Sequence, residues 1–200
     1  TLNKIRKNIM SFPNYEILGI PLQIYMLTEL FLNDRDKYLP LLDSIFTVLD
    51  LYEHCIDEKF RVLYNDKNEI PLRSEQNLQS FENEKNTRIN HYKSLAASYY
   101  IYNSLRHRIA SKFLSTDKTT DSFVEKIKNE GDDVGFISRV ISKYDVEFIH
   151  NSYGEYFAAL YLFEYEPSKA REREFISDSR YKNIRFFLDL MLARNSKCII

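Results

Sequence analysis

Apolar residues recur at spacings of three and four along most of the chain, with polar residues between them. That period puts the apolar side chains on one face of a helix and argues for a mainly α protein. Between Ser44 and Tyr64 the residues Ile45, Leu49, Tyr52, Ile56, Phe60 and Leu63 form one stripe, while Asp50, Glu53, Asp57 and Arg61 fall on other faces. A second stripe, Tyr92, Leu95, Tyr99, Tyr102, Leu105, Ile109 and Phe113, predicts a long helix from about Thr87 to Leu114. Shorter helices are expected around Ser122 to Asn129 and from about Asn183 to Ala193.

The period changes in "FISRVISKYDVEFIH", where β-branched and aromatic residues flank a "SKYD" turn. This pattern predicts a two-stranded hairpin, with Val146, Phe148 and His150 on one face of its second strand. Directly afterwards, Ser152 and Glu155 have the spacing of a capping box, so a helix is expected to start at Tyr153 and to end near Pro167. The stretch 66–86 contains Pro71 and is dominated by Asn, Gln, Glu, Ser and Lys. It reads as a polar linker. The expected organisation is a small helical domain over 1–65, this linker, a second domain over 87–166, and the start of a further helical domain over 167–200.

Composition narrows the functional classes. Lys plus Arg number 28 against 29 Asp plus Glu, a net charge of -1. Such a balance gives no electrostatic reason to expect nucleic acid or an anionic membrane as partner. Two cysteines, Cys55 and Cys198, stand in no metal or disulfide pattern, which fits a reduced, cytoplasmic setting. No apolar run is long enough to span a membrane. The chain opens on Thr1 and closes on "KCII", and is read as a piece of a longer protein.

Three segments carry a family likeness: "GIPLQIYMLTELF" at 19–31, "LYEHCIDEKF" at 51–60 and "FIHNSYGEYFAALYL" at 148–162. Together they resemble the part of a NACHT-type NTPase that follows its ATPase core, within the STAND class of signalling switches, which includes innate-immunity proteins. The likeness covers most of the chain and is greatest to arthropod members, in which ankyrin repeats often follow. It implies a helical domain followed by a winged-helix domain with a short β-hairpin. The implied function is that of a lid and nucleotide sensor governing an ADP-closed to ATP-open switch and oligomerisation.

Two residues take roles from the resemblance. Pro21 matches the proline that packs on the adenine of ADP or ATP, and His150 matches the histidine that touches the β-phosphate in the closed state. The residues themselves are compatible with this. Proline offers a rigid apolar surface at a helix start, although a first-turn proline is ordinary in any helix. An imidazole beside a helix N-terminus adds a donor to an already anion-friendly place. One charge-assisted hydrogen bond there would contribute roughly 1.5 to 3 kcal/mol, enough to shift a two-state equilibrium by about ten- to a hundredfold. A closed Ser152–Glu155 box would occupy some of the amides, leaving His150 as a lone contact.

Four glycines, at 19, 131, 135 and 154, give no G-x-x-x-x-G-K-[ST] loop, so this chain is not expected to hydrolyse ATP. A phosphate cradle and Mg²⁺ ligands would lie in an upstream core, the expected partner together with downstream repeats and further copies of the protein. His54 beside Cys55, and His91 with His107, lack metal-ligand spacing. The basic stretches "RHRIASK" and "KAREREF" read as solvated faces. Two rivals remain: a winged-helix module for nucleic acid, against which the helix after His150 carries Glu155, Glu164 and Glu166 and no base, and a scaffold that has lost the switch.

Overall fold

The computed structural model describes residues 21–38, 40, 47–67, 74–102, 118–142, 145–167, 175 and 177–197. They are mainly helical, with one small antiparallel sheet. The chain divides into two compact units, 1–68 and 69–200.

In the first unit, α1 (Pro21–Asn33), the short α2 (Arg35–Tyr38) and α3 (Val48–Val62) precede a π-helical turn, Leu63–Lys67. The stripe expected on α3 is its buried face: Leu49, Tyr52, Ile56, Phe60 and Leu63 are all at most 4% exposed. Thr47 starts this helix with a reciprocal box, its Oγ1 accepting the Asp50 amide while Asp50 Oδ2 accepts the Thr47 amide at 2.6 Å. Met26 and Leu30 of α1 are buried in the same unit, and the Cys55 thiol donates to the Met26 carbonyl at 3.6 Å. Burial pushes that thiol up to about 12, so it is an inert core group. His54 is spent on an edge-to-face contact with Tyr38 at 5.6 Å.

The second unit is organised by α4 (Glu75–Ala96), which begins well before Thr87 and passes into a π-helical turn, Ala97–Tyr102. Residues Glu75 to Asn86, expected as part of the polar linker, are its first three turns. Two local effects explain the difference. Ser74 caps the helix by accepting the Asn77 amide, and Gln79–Asn83, Glu82–Lys85 and Glu84–Arg88 pair side chains one turn apart. Only Phe81 in those turns is buried, so the segment needs almost no apolar face. The later part of the expected stripe, from Leu105 to Phe113, lies outside the described residues, as do the basic stretch 106–112, His107 and most of 169–175.

Helix α5 (Lys118–Glu130) leads to a loop held by one carboxylate. Asp132 Oδ2 accepts the Phe136 and Ile137 amides at 2.7 and 2.9 Å, and its Oδ1 accepts from the buried Tyr92 hydroxyl at 2.6 Å. Gly131 and Gly135 supply positive φ angles of 84° and 82° on either side, which only glycine adopts without strain. The hairpin follows as expected: β1 (Ile137–Ser142) pairs antiparallel with β2 (Asp145–Phe148), from Ile137 opposite Phe148 to Ser142 opposite Asp145, with two irregularities in register.

Then come α6 (Asn151–Tyr165) and, after a 3-10 turn at Ser179–Tyr181, α7 (Lys182–Lys197). Helix α6 packs between α4 and α7. Tyr92, fully buried, stacks on Phe157 at 5.3 Å and meets the edges of Phe123 and Phe136. Tyr156 reaches Phe187 of α7 at 5.4 Å. The nearly buried Lys93 is held by Glu164 at 2.6 Å with the Tyr165 ring 5.3 Å away, joining α4 to the end of α6. Residues 182–197 thus pack in the same unit as the hairpin.

Candidate functional site

The start of α6 is arranged differently from the capping box the sequence implied. The helix begins at Asn151, and its N-cap is His150, in extended conformation at φ -144° and ψ 132°. His150 Nδ1 accepts the Ser152 amide at 3.2 Å and lies 2.6 Å from Ser152 Oγ. An acceptor at Nδ1 places the ring proton on Nε2. Among the described residues Nε2 has no hydrogen-bond partner, and the imidazole is exposed.

His150 therefore does not continue the inward face of β2. Val146 and Phe148 are buried on that face, whereas the strand ends at Phe148 and Ile149 is 61% exposed. The Ile149 amide donates to the Phe136 carbonyl at 2.8 Å, which fixes where the chain leaves the sheet.

Glu155 has also left the role assigned to it. Its Oε1 accepts from the Asn183 amide group at 2.9 Å, tying α6 to α7. Burial raises its carboxyl above the ordinary value, opposed by the Asn183 hydrogen bond and by the nearby His150. On the other side of the helix start, the Tyr100 hydroxyl faces the Asn151 carbonyl at 3.2 Å and Asn151 Oδ1 at 3.3 Å, one donor shared between two acceptors. Burial pushes the Tyr100 phenol upward, and the Glu155 charge adds to this, so the hydroxyl keeps its proton. Tyr100 and Phe148 press so close to Gly154 that any side chain there would force one of them to shift. Neither partner was legible from spacing: Tyr100 stands on a π-helical turn that shifts the helical register, and Asn183 is distant in sequence.

The Ser152–His150 contact has the form of a nucleophile and base. Nδ1 also accepts the Ser152 backbone amide, so it is shared between that amide and the hydroxyl. The arrangement presents one fixed N–H donor at a helix N-terminus, where the backbone favours anions.

Pro21 is the first residue of α1 and is exposed. It belongs to the first compact unit and His150 to the second. His91 is buried, with Nδ1 3.0 Å from Thr120 Oγ1 and its ring stacked on Phe123 at 4.7 Å, a packing role. No cluster of three metal-ligating side chains occurs among the described residues, and no helix there is long and apolar enough to cross a membrane.

Comparison of the chain with models of protein families, with curated proteins and with solved structures finds no match.

Proposed function

We propose that this chain is the lid and nucleotide-sensing segment of a STAND-class signalling NTPase of NACHT type, with its second unit built as a winged-helix domain. The observation that carries the reading is the state of His150. Its Nδ1 is committed to the Ser152 amide, so an exposed Nε2–H is left as a donor at the start of α6. That is the group a β-phosphate contact requires, and a phosphate accepting from it forms a charge-assisted bond. The order of helices, hairpin and closing helix over 75–165 suits a winged helix. Pro21, the first residue of α1, is exposed, which is compatible with packing on an adenine.

In this mechanism ADP, held by an upstream core that would also supply the Mg²⁺ site, accepts a hydrogen bond from His150, which keeps the lid closed. Exchange for ATP removes the His150 contact and shifts the population towards an open form that assembles with further copies. The chain itself performs no bond-breaking step.

The test separates the imidazole's two roles. Asparagine is a strong N-cap, so His150→Asn keeps an acceptor for the Ser152 amide while removing the Nε2 donor. In the protein that joins this chain to a P-loop core, H150N is expected to release a fluorescent ADP analogue about ten- to a hundredfold faster at unchanged thermal stability. An unchanged release rate refutes the contact. A transcript with no P-loop lysine upstream of the Thr1 codon refutes the switch and leaves a scaffold, and salt-sensitive binding of duplex DNA would favour the nucleic-acid reading.

A further inference from the structure

We propose that Tyr100 is the positioning residue for the His150 donor, acting through the peptide group that joins Asn151 to Ser152. Taking His150 as the sensing group rests on the nucleotide-switch reading; the grip of Tyr100 on the turn does not. The carbonyl of Asn151 and the amide of Ser152 are the two ends of one planar peptide unit. The Tyr100 hydroxyl donates to that carbonyl at 3.2 Å, and the amide at the other end donates to His150 Nδ1 at 3.2 Å. One rigid plane therefore links the phenol to the imidazole. Fixing the carbonyl fixes the direction of the N–H, and two hydrogen bonds on one peptide group polarise each other.

The phenol is itself well held. It stands on the π-helical turn Ala97–Tyr102, a form of helix often found at functional sites. Its ring meets Tyr99 edge-on at 4.8 Å and lies 6.2 Å from Phe148, the last residue of β2. It also presses on the bare backbone of Gly154. Phe148, Asn151 and Gly154 lie on both sides of His150 in the chain, so a single side chain sets where the strand is left and where α6 is entered. Burial and the Glu155 charge keep the phenol protonated, so it remains a donor. With Nδ1 held by the Ser152 amide, the imidazole has one orientation and its Nε2–H one direction. Without the Tyr100 hydroxyl the peptide plane can turn, the cap bond opens more often and the donor is no longer presented.

The 200-residue chain, labelled with ¹⁵N, tests this without nucleotide. Long-range ¹H–¹⁵N correlation reads which imidazole nitrogen carries the proton, and the amide spectrum reads Ser152. The wild type is expected to show His150 as a single Nε2–H tautomer. Tyr100→Phe keeps the ring and removes the donor. It is expected to bring in the second tautomer and to speed exchange of the Ser152 amide about five-fold, the effect of one lost hydrogen bond, while the buried His91 imidazole is unchanged. Ile184→Val is the structural control: it trims a fully buried α7 side chain and lowers stability away from the turn, and should leave the His150 and Ser152 signals in place. In the protein that joins this chain to a P-loop core, Y100F is expected to release ADP about five-fold faster than wild type and to add nothing to H150N. Three results would each overturn the role of Tyr100: His150 and Ser152 signals unmoved by Y100F, the same movement in Ile184→Val, or a Y100F effect on ADP release that adds in full to that of H150N. Should H150N itself leave ADP release unchanged, the switch reading falls, and the imidazole signals still decide what Tyr100 does.

Discussion

Gly154 is tightly enclosed by Tyr100 and Phe148, and Gly154→Ala tests the packing at the start of α6 directly. An alanine Cβ would overlap Tyr100 Cε2 and lie 2.7 Å from Phe148 Cδ2 and 2.9 Å from the Tyr100 hydroxyl oxygen. Two effects oppose each other. Alanine in place of a helical glycine favours the helix by about 0.8 to 1 kcal/mol. Forcing a methyl group into a filled site costs about 1 to 3 kcal/mol, occasionally more. Here the cost falls at the upper end. Tyr100 can retreat only by giving up its hydrogen bonds to Asn151, and Phe148 is 4% exposed and packed at 6.3 Å from Phe157. The expected net loss is about 1 to 2 kcal/mol, or a fall in Tm of about 2 to 8 °C for a chain of this size. Urea unfolding followed by circular dichroism measures it, with Tyr100→Ala as the second arm of a double-mutant cycle. Once the Tyr100 ring is gone, most of the penalty of the Gly154 substitution should disappear. A Gly154→Ala protein more stable than wild type by the full propensity difference would refute the close packing.

The Asp132 loop gives a second test. Asp132→Ala removes the acceptor of two amides and the Tyr92 hydroxyl, and a loss of about 3 kcal/mol is expected in the same assay; Asp132→Asn, which keeps one acceptor oxygen, should lose less. Glu155→Gln should raise the thermal midpoint at neutral pH, because burial holds the Glu155 carboxyl above its ordinary value and its ionised form therefore opposes folding. The advantage should vanish on acidification: the wild-type contribution is fully present below the unfolded glutamate value and is lost as pH rises through the folded one. Asp133 has the opposite slope. Burial would raise its carboxyl, yet the Arg88 hydrogen bond and charge outweigh this and hold it low, so its contribution is present above the unfolded aspartate value and is lost as pH falls through the folded one. Replacing Arg88 with Leu should remove that acid-side loss from the stability profile; an unchanged profile would exclude Asp133 as its source.

Local period and local chemistry determined much of this protein directly. The α3 stripe from Leu49 to Leu63 is the buried face because every third or fourth residue must share a side of a helix, whatever packs on it. The hairpin was legible for the same reason at a period of two, in Val146 and Phe148. Polar composition misled at Glu75 to Asn86, because a capped helix with side-chain pairs one turn apart needs no continuous apolar face. At the candidate site the sequence marked the residues but not their partners. "HNSYGE" contains two ways to start a helix, His150 accepting from Ser152 or Ser152 boxed with Glu155, and nothing local distinguishes them. Tertiary structure decides. The Ile149–Phe136 bond ends the strand at Phe148, Tyr100 holds Asn151, and Asn183 draws Glu155 away towards α7. The cap therefore falls to His150, whose presented donor is a product of contacts from three other elements, and such long-range choices leave no period in the sequence.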